Sequence, residues 1–177
     1  MMKYEALQLI CPHATSTNKS EAELFGAMVW LWMHSETHAR CPLHELHRLL
    51  LPALKTGQYV LVLRDDPSQQ PLGLMTWAYL SAQAECRYLQ SLDRSLQPVD
   101  WQQGDRPWIL DWVVPFGHTR AMTKAVQQLL RQHCFRGLYH RGDETGLRVL
   151  RFRGADVSKK QESDFWASKP LPQTTNK

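Results

Sequence analysis

The chain has 177 residues, of which 43% are hydrophobic and 10% aromatic, so it is too apolar for a disordered protein and long enough for one domain with a sizeable core. Its net charge of +4 is a mild excess without a dense Lys/Arg stripe, which argues against a nucleic-acid partner and suits an acidic protein partner. The sequence has no apolar run near the roughly 20 residues of a membrane span, no secretory signal and four scattered cysteines, a combination typical of a cytoplasmic protein with reduced thiols.

The first half of the chain predicts two helices followed by a hairpin. Ser20 and Glu23 have the spacing of a capping box at a helix start, and apolar residues then recur at helical spacing. After Gly57 the pattern becomes typical of strands. The predicted elements are a loose extension over residues 1–19, a helix over about 21–34, a second helix from Pro42 that is divided near Pro52 and ends at Gly57, and strands over 58–64 and 71–80.

The second half predicts alternating helices and strands. The predicted elements are a helix capped by Ser81 that runs to about Leu92, a strand over 107–114, a helix capped by Thr119 that runs to about Cys134, and strands over 135–140 and 147–153 around a turn at 142–146. We expect one domain over 20–154 and a frayed polar tail over 155–177. This order predicts an α+β fold with a mixed central sheet flanked by helices, and it is similar to the N-acetyltransferase-like (GNAT-type) fold of many acyl-transfer enzymes.

A carboxylate in an apolar strand is the first candidate for chemistry. Strict alternation along 107–114 places Asp111 on one face with Ile109 and Val113, and the other apolar side chains of the strand on the opposite face. A charge removed from water is costly unless something pairs with it. His38, just past the end of the first helix, could supply that pairing and act as a general base near neutral pH. A structural carboxylate bonded to a backbone amide or an arginine is the alternative interpretation.

Four histidines close together in the sequence raise the question of a metal site. They are His34, His38, His44 and His47. Their helical spacings do occur in zinc sites, but no Cys or carboxylate stands at a motif spacing with them, so we expect no metal. Ser35 is close enough to His38 to support it, although nothing in the sequence marks its hydroxyl as an activated nucleophile. Cys41 is interpreted as a bystander.

The segment that follows the Asp111 strand could bind a phosphate. Residues 115–120 read P-F-G-H-T-R and lead into a predicted helix, whose N-terminus offers free backbone amides. Gly117, Thr119 and Arg120 are the candidate site. A loop with one glycine is better matched to a single phosphate, as on a phosphopantetheine arm, than to a pyrophosphate. This favours an acyl-carrier protein over coenzyme A as an acyl donor.

Several short motifs together resemble one known family. They run in order through about residues 26–154 and include W-L-W from Trp30, S-x-x-H from Ser35 and W-x-x-G-D-R-x-W-I-x-D-W-x-x-P-F-G from Trp101 to Gly117. The last run is long and contains several rare residues. On these motifs the chain resembles the RTX toxin-activating protein-lysine acyltransferases, which are also known as haemolysin-activating proteins. It departs from the family's usual motif at Glu36, where proline is common.

The resemblance implies a fatty acyltransferase that moves an acyl chain from acyl-carrier protein to the ε-amine of internal lysines of an RTX protoxin. On the matching motifs, His38 and Asp111 would be catalytic and Ser35 would support them. The resemblance also implies a bacterial cytoplasmic protein, a homodimer, and no bound cofactor, with acyl-acyl-carrier protein as co-substrate. His38 would act as a general base or would carry a transient acyl group.

Three other functions stay open at this point. One is a coenzyme A-dependent N-acetyltransferase for small amines, which donor preference would reveal. Another is a toxin-specific chaperone that binds the protoxin and leaves its mass unchanged. A metal-binding regulator built on the four histidines ranks last, and an assay for bound zinc would detect it.

Overall fold

The protein is built around a sheet of seven strands that lie side by side in their order along the chain. The computed structural model describes residues 2–91, 96–139 and 148–172. The strands are β1 (Met2–Tyr4), β2 (Leu7–Ile10), β3 (Tyr59–Arg64), β4 (Pro71–Leu80), β5 (Arg106–Val113), β6 (Cys134–Tyr139) and β7 (Arg148–Arg153). Neighbouring strands are antiparallel except for β5 and β6, which are parallel. The predicted α+β fold with a mixed sheet is therefore confirmed.

Helices cover both faces of the sheet. They are α1 (Glu21–Met33), α2 (Leu46–Leu49), α3 (Leu51–Thr56), α4 (Ala82–Gln90), α5 (Thr119–Leu129) and α6 (Lys159–Ala167), with 3₁₀ turns at Leu43–Glu45 and Pro98–Trp101. Within the described ranges, none of these helices is long and apolar enough to cross a membrane.

Local signals in the sequence set several helix ends as predicted. The Ser20 hydroxyl accepts a hydrogen bond from the backbone N–H of Glu23, and the Glu23 carboxylate accepts one from the backbone N–H of Ser20, which completes the capping box. Pro52 lies in the first turn of α3, just after the division from α2, and Gly57 ends α3 in the left-handed conformation with φ of 73°. Ser81 caps α4 as predicted.

The core has two layers, one on each face of the sheet. Met122, Ala125 and Val126 of α5 pack on one face, against side chains that include Met75 and Trp77 of β4. On the opposite face, α1 to α3 pack against side chains of β2 to β5, and α4 packs beside Trp101 and Trp108. Asp111 and His38 lie on this second face, because Thr76, which contacts Asp111, alternates with Met75 and Trp77 along β4.

The prediction of a loose extension over residues 1–19 was wrong for its first half. Met2–Tyr4 and Leu7–Ile10 form a hairpin, and β2 then pairs with β3. Leu9, Ile10 and Cys11 are fully buried. Strands this short carry little periodic signal on their own, and the hairpin is held in place by its pairing with β3, a partner about 50 residues away in the sequence.

The tail also differs from the prediction. Residues 159–167 form α6, which begins with a capping box between Ser158 and Gln161, and Trp166 of this helix is buried. The Arg136 guanidinium of β6 stacks on the Trp166 ring, 4.1 Å from its centroid. One buried aromatic residue among polar neighbours is a weak signal in sequence, so the helix was missed.

Two boundaries need correction as well. Thr119 was predicted to cap α5, but it is the first helical residue: the cap position belongs to His118, whose side chain makes no capping hydrogen bond. The same helix ends at Leu129 rather than near Cys134, which begins β6. The predicted turn at 142–146, the adjoining ends of its two strands, and Leu92 lie outside the described residues.

Candidate active site

A bulge in the sheet sets the direction of the Asp111 side chain. Thr76 of β4 faces Asp111, but the next residue, Trp77, faces Ile109, so Leu110 is an extra residue in β5. The predicted alternation along β5 is therefore wrong: Ile109 packs in the α5 layer, whereas Asp111 points to the opposite face. A bulge of this kind redirects a side chain, and here it turns a carboxylate toward the end of α1.

His38 lies in a tight turn that follows α1. The backbone N–H groups of His38 and Ala39 both donate to the carbonyl oxygen of Ser35, at 3.0 and 2.8 Å, and the N–H of Cys41 donates to the carbonyl of His38. The His38 ring packs on Trp32, with ring centroids 4.5 Å apart. The turn and the indole together hold the imidazole in one orientation over the sheet.

The three residues singled out in the sequence meet through their side chains. His38 Nε2 lies 3.1 Å from Asp111 Oδ1, and His38 Nδ1 lies 2.9 Å from the Ser35 hydroxyl. Thr76 donates to the second carboxylate oxygen of Asp111 at 3.0 Å. Because an ionised carboxylate only accepts hydrogen bonds, this arrangement places a proton on Nε2 and leaves the lone pair of Nδ1 facing Ser35.

The site is partly buried, but solvent can still reach it. The side chains of His38 and Asp111 are 20% and 16% exposed. A cavity of about 420 Å³ adjoins them, with Thr37 and Arg48 also in its wall. A sheltered imidazole held by a carboxylate at the edge of a cavity can take a proton from a substrate bound there.

Comparison with known proteins shows the family to which this chain belongs. The model of the HlyC RTX toxin acyltransferase family matches residues 17–153. The chain belongs to the RTX toxin acyltransferase family. It is 35% identical to the protein-lysine myristoyltransferase RtxC of Kingella kingae over 135 residues, which cover 76% of this chain and 78% of RtxC.

Two other relatives have sequence identities to this chain that are close to that of RtxC. The leukotoxin-activating lysine-acyltransferase LtxC of Aggregatibacter actinomycetemcomitans is 36% identical over 138 residues, covering 77% of this chain and 79% of LtxC. The protein-lysine myristoyltransferase HlyC of Escherichia coli is 34% identical over 137 residues, covering 77% of this chain and 78% of HlyC. The resemblance inferred from the sequence motifs is confirmed, and relatives with lysine acyltransferase names support an acyltransferase.

The other histidines near the candidate site have local partners. His34 Nδ1 bonds to the carbonyl oxygen of Trp30 at 2.8 Å, and His47 Nδ1 bonds to the carbonyl oxygen of His44. His44 Nε2 lies 3.4 Å from Glu45. In the described ranges, no three His, Cys, Asp or Glu side chains are grouped as metal ligands.

Cys41 lies in the wall of the same cavity without the features of a nucleophile. Its thiol has a raised pKa, first because of burial and then because of the nearby Glu45 carboxylate. A thiol with a raised pKa stays protonated at neutral pH and is a poor nucleophile. All four cysteines of this family member are free.

The candidate phosphate site lies on a loop that is attached to the end of α1. Gly117, Thr119 and Arg120 are all exposed, and Gly117 has φ of 82°. Phe116, the residue before Gly117, stacks near both Trp30 and His34, with ring centroids 5.3 and 5.4 Å away. These contacts bring the loop to the same end of α1 from which the His38 turn begins.

Sequence reasoning missed two parts of this candidate site. Thr76 sits in a strand of apolar residues and is fully buried, and its role depends on a register that only the folded sheet sets. The cavity was missed because its walls come from several segments that are distant in sequence. A polar residue at the centre of the run L-M-T-W-A was the one available signal for Thr76.

Proposed function

We propose that this protein transfers a fatty acyl group from acyl-carrier protein to the ε-amine of internal lysines of an RTX protoxin and thereby activates the toxin. The observation that carries the proposal is the hydrogen bond between His38 and Asp111 at a cavity edge, in a chain of the RTX toxin acyltransferase family. The named activities of its relatives support the reaction class.

The reaction converts a thioester and an amine into an amide and a thiol. The lysine has an ordinary pKa of about 10.4, so its ammonium must lose a proton before nitrogen can attack the thioester carbon. His38 Nδ1 takes that proton, and the resulting imidazolium returns it to the thiolate of the leaving phosphopantetheine arm as the C–S bond breaks. The second proton that nitrogen loses as the amide forms passes to solvent. Asp111 holds the ring tautomer through Nε2 and stabilises the imidazolium that forms.

The Ser35 hydroxyl is hydrogen-bonded to His38 Nδ1, the nitrogen that must act as the base. This hydroxyl is the donor in the free protein, so the substrate amine must displace it or pass its proton through it. In either case Ser35 supports His38, as the family resemblance implies. A transient acyl group on His38 is the second route, and rapid quenching followed by mass spectrometry of the protein would detect it.

The donor site is part of the same proposal. Gly117, Thr119 and Arg120 would bind the single phosphate of the phosphopantetheine arm through a cationic side chain and the backbone amides at the start of α5. The net charge of +4 suits an acidic carrier protein.

We further propose an N-acetyltransferase-like fold, supported by the parallel β5–β6 pair in a mostly antiparallel sheet, and a homodimer, supported by the resemblance alone. Four free cysteines suit the bacterial cytoplasm as its location.

Intact-mass spectrometry of an RTX protoxin tests the proposal directly. The protoxin encoded beside this gene is incubated with the protein and with acyl-loaded carrier protein, and its mass should rise by one or more fatty acyl groups. His38→Ala and Asp111→Ala should lose about 100-fold or more of the rate. The matched control is His44→Ala, which removes an imidazole that is 77% exposed and outside the cavity wall.

The same experiment separates the alternatives. Efficient transfer from acyl-coenzyme A and none from the carrier protein would establish the coenzyme A-dependent N-acetyltransferase. A protoxin that binds tightly, with unchanged mass for every donor, would establish the chaperone. Near-native turnover by a folded His38→Ala variant would refute the assigned role of His38.

A further inference from the structure

The cavity beside His38 combines a few polar groups with a larger apolar wall. Its polar groups, Thr37, His38, Arg48 and Asp111, come from the segment that follows α1, from α2 and from β5. Most of the other lining residues are aliphatic or aromatic, and five of them belong to the layer packed around α4; they are Tyr88, Leu96, Trp101, Leu110 and Leu138. A ligand that fits this wall has a polar reacting group and a long apolar part.

The cavity adjoins the point where the pairing of two parallel strands ends. The ladder between β5 and β6 contains only the pairs Trp108–Arg136 and Ile109–Gly137. One residue further along each strand, Leu110 and Leu138 are no longer paired, and both line the cavity. Crevices at the carboxyl ends of parallel strands are frequent ligand sites, since the backbone there leaves room between neighbouring strands.

The charges of the wall argue for the acyl chain and against the acceptor lysine as the occupant. Among the described residues that line the cavity, Asp111 is the one carboxylate, and it already accepts hydrogen bonds from His38 and Thr76. The one permanent cation in that wall, Arg48, is paired with Glu45. An ammonium group would therefore lose its hydration against the apolar wall without gaining a counter-charge. A hydrocarbon chain loses nothing there and gains from burial.

We propose that this cavity binds the acyl chain of the donor, with the thioester beside His38 and the tail directed toward Leu96 and Leu138, and that its depth sets the preferred chain length. This inference rests on the proposed acyl transfer. The cavity volume of about 420 Å³ lies within the range of about 300–1,000 Å³ that small-molecule sites occupy. The cavity on the α5 face holds about 30 Å³, enough for little more than a water molecule, and has no comparable capacity.

Binding without turnover tests the site independently of the reaction. The probe is cis-parinaric acid, a fluorescent fatty acid, titrated into the inactive His38→Ala protein. Saturable binding is expected, with competition by myristate and weaker competition by octanoate, since each methylene that leaves the cavity costs about fourfold in affinity. The variant Leu138→Trp, which places a larger side chain in the apolar wall, should abolish binding. Unchanged binding by a folded Leu138→Trp protein would overturn the proposal.

Chain-length preference in the transfer reaction gives the second measurement. With carrier protein loaded with octanoyl, lauroyl, myristoyl or palmitoyl groups, Leu138→Phe should shift the preferred donor to a shorter chain, and Leu138→Ala should shift it to a longer one. The control is Leu129→Phe, the same change at a half-buried leucine of α5 on the opposite face of the sheet. Active variants whose preference matches that of the control would overturn the length role. If no donor is used but the probe binds and Leu138→Trp blocks it, the proposed reaction fails and the chain site stands.

Discussion

Replacement of the buried carboxylate Glu85 should destabilise the protein more than any exposed charge change. Glu85 of α4 is fully buried and accepts hydrogen bonds from Trp108 and Arg136 at 2.8 Å and from Arg106 at 2.9 Å. Arg136 in turn donates to the carbonyl oxygen of Lys169, just beyond α6. One carboxylate therefore links α4, β5, β6 and the C-terminal segment.

The magnitude follows from the charges that Glu85→Gln would leave behind. Arg136 is 1% exposed, and burial lowers the pKa of its guanidinium while the Glu85 carboxylate opposes that shift. Removal of one partner from a buried ion pair costs about 3–5 kcal/mol, because the other charge stays in a low-dielectric site. We expect about 3 kcal/mol, the lower end of that range, since Arg136 keeps the carbonyl of Lys169 and the Trp166 ring.

Urea unfolding followed by far-UV circular dichroism measures this loss. The control is Asp156→Asn, which also removes one carboxylate opposite an arginine. Asp156 receives two hydrogen bonds from Arg131, but the two side chains are 40% and 59% exposed, so solvent screens the pair and the change should be far smaller. Equal losses for the two variants, or an unchanged midpoint for Glu85→Gln, would refute the reasoning.

Three other changes test separate parts of the molecule. Gly104→Ala should abolish the folding transition in a thermal melt, since a Cβ there would lie 1.8 Å from the backbone at the end of β4. The control Gly26→Ala, in open space within α1, should stabilise the protein by up to about 1 kcal/mol. A folded Gly104→Ala protein would contradict this. Thr76→Val removes the hydrogen bond to Asp111 and should slow acyl transfer about tenfold with an unchanged fold, so an unchanged single-turnover rate would remove Thr76 from the site. Burial raises the pKa of Tyr59 from 10.0 to about 12, so the unfolded chain releases this proton first and the free energy of unfolding falls as the pH rises from 10 toward 12. Tyr59→Phe should reduce that fall, measured by urea melts at several pH values. An identical dependence of stability on pH in the two proteins would contradict this.

Local chemistry explains which elements the sequence predicted well. Ser20 with Glu23, and Gly57 in the left-handed conformation, act within one helical turn, and both helix ends lie where the sequence places them. The β3–β4 hairpin is also formed, because its alternating residues and intervening turn are contiguous in the chain. These features require no knowledge of distant contacts.

The features that were missed depend on partners far away in the chain. The β1–β2 hairpin is stabilised by β3, and α6 is held by Trp166 under Arg136. The bulge at Leu110 is set by the pairing of β5 with β4, so strict alternation assigned Ile109 and Asp111 to the same face. The sequence thus predicted that Ser35, His38 and Asp111 belong to the candidate site, but the direction from which Asp111 reaches His38 depends on sheet register.

The G-D-R-x-W-I-x-D run shows how closely structural and chemical requirements are joined in this protein. Gly104 permits the chain to approach β4, and Arg106 and Trp108 then fix the start of β5 to Glu85. Three residues after Trp108, beyond the bulge, Asp111 reaches His38. Since a strand held firmly at its first residues leaves little freedom at its bulge, the Glu85 network restricts where the Asp111 carboxylate can lie. Loss of stability and loss of acyl transfer should therefore rise together in variants of this network, whereas the cavity variants Leu138→Phe and Leu138→Ala should change donor preference without a matching loss of stability.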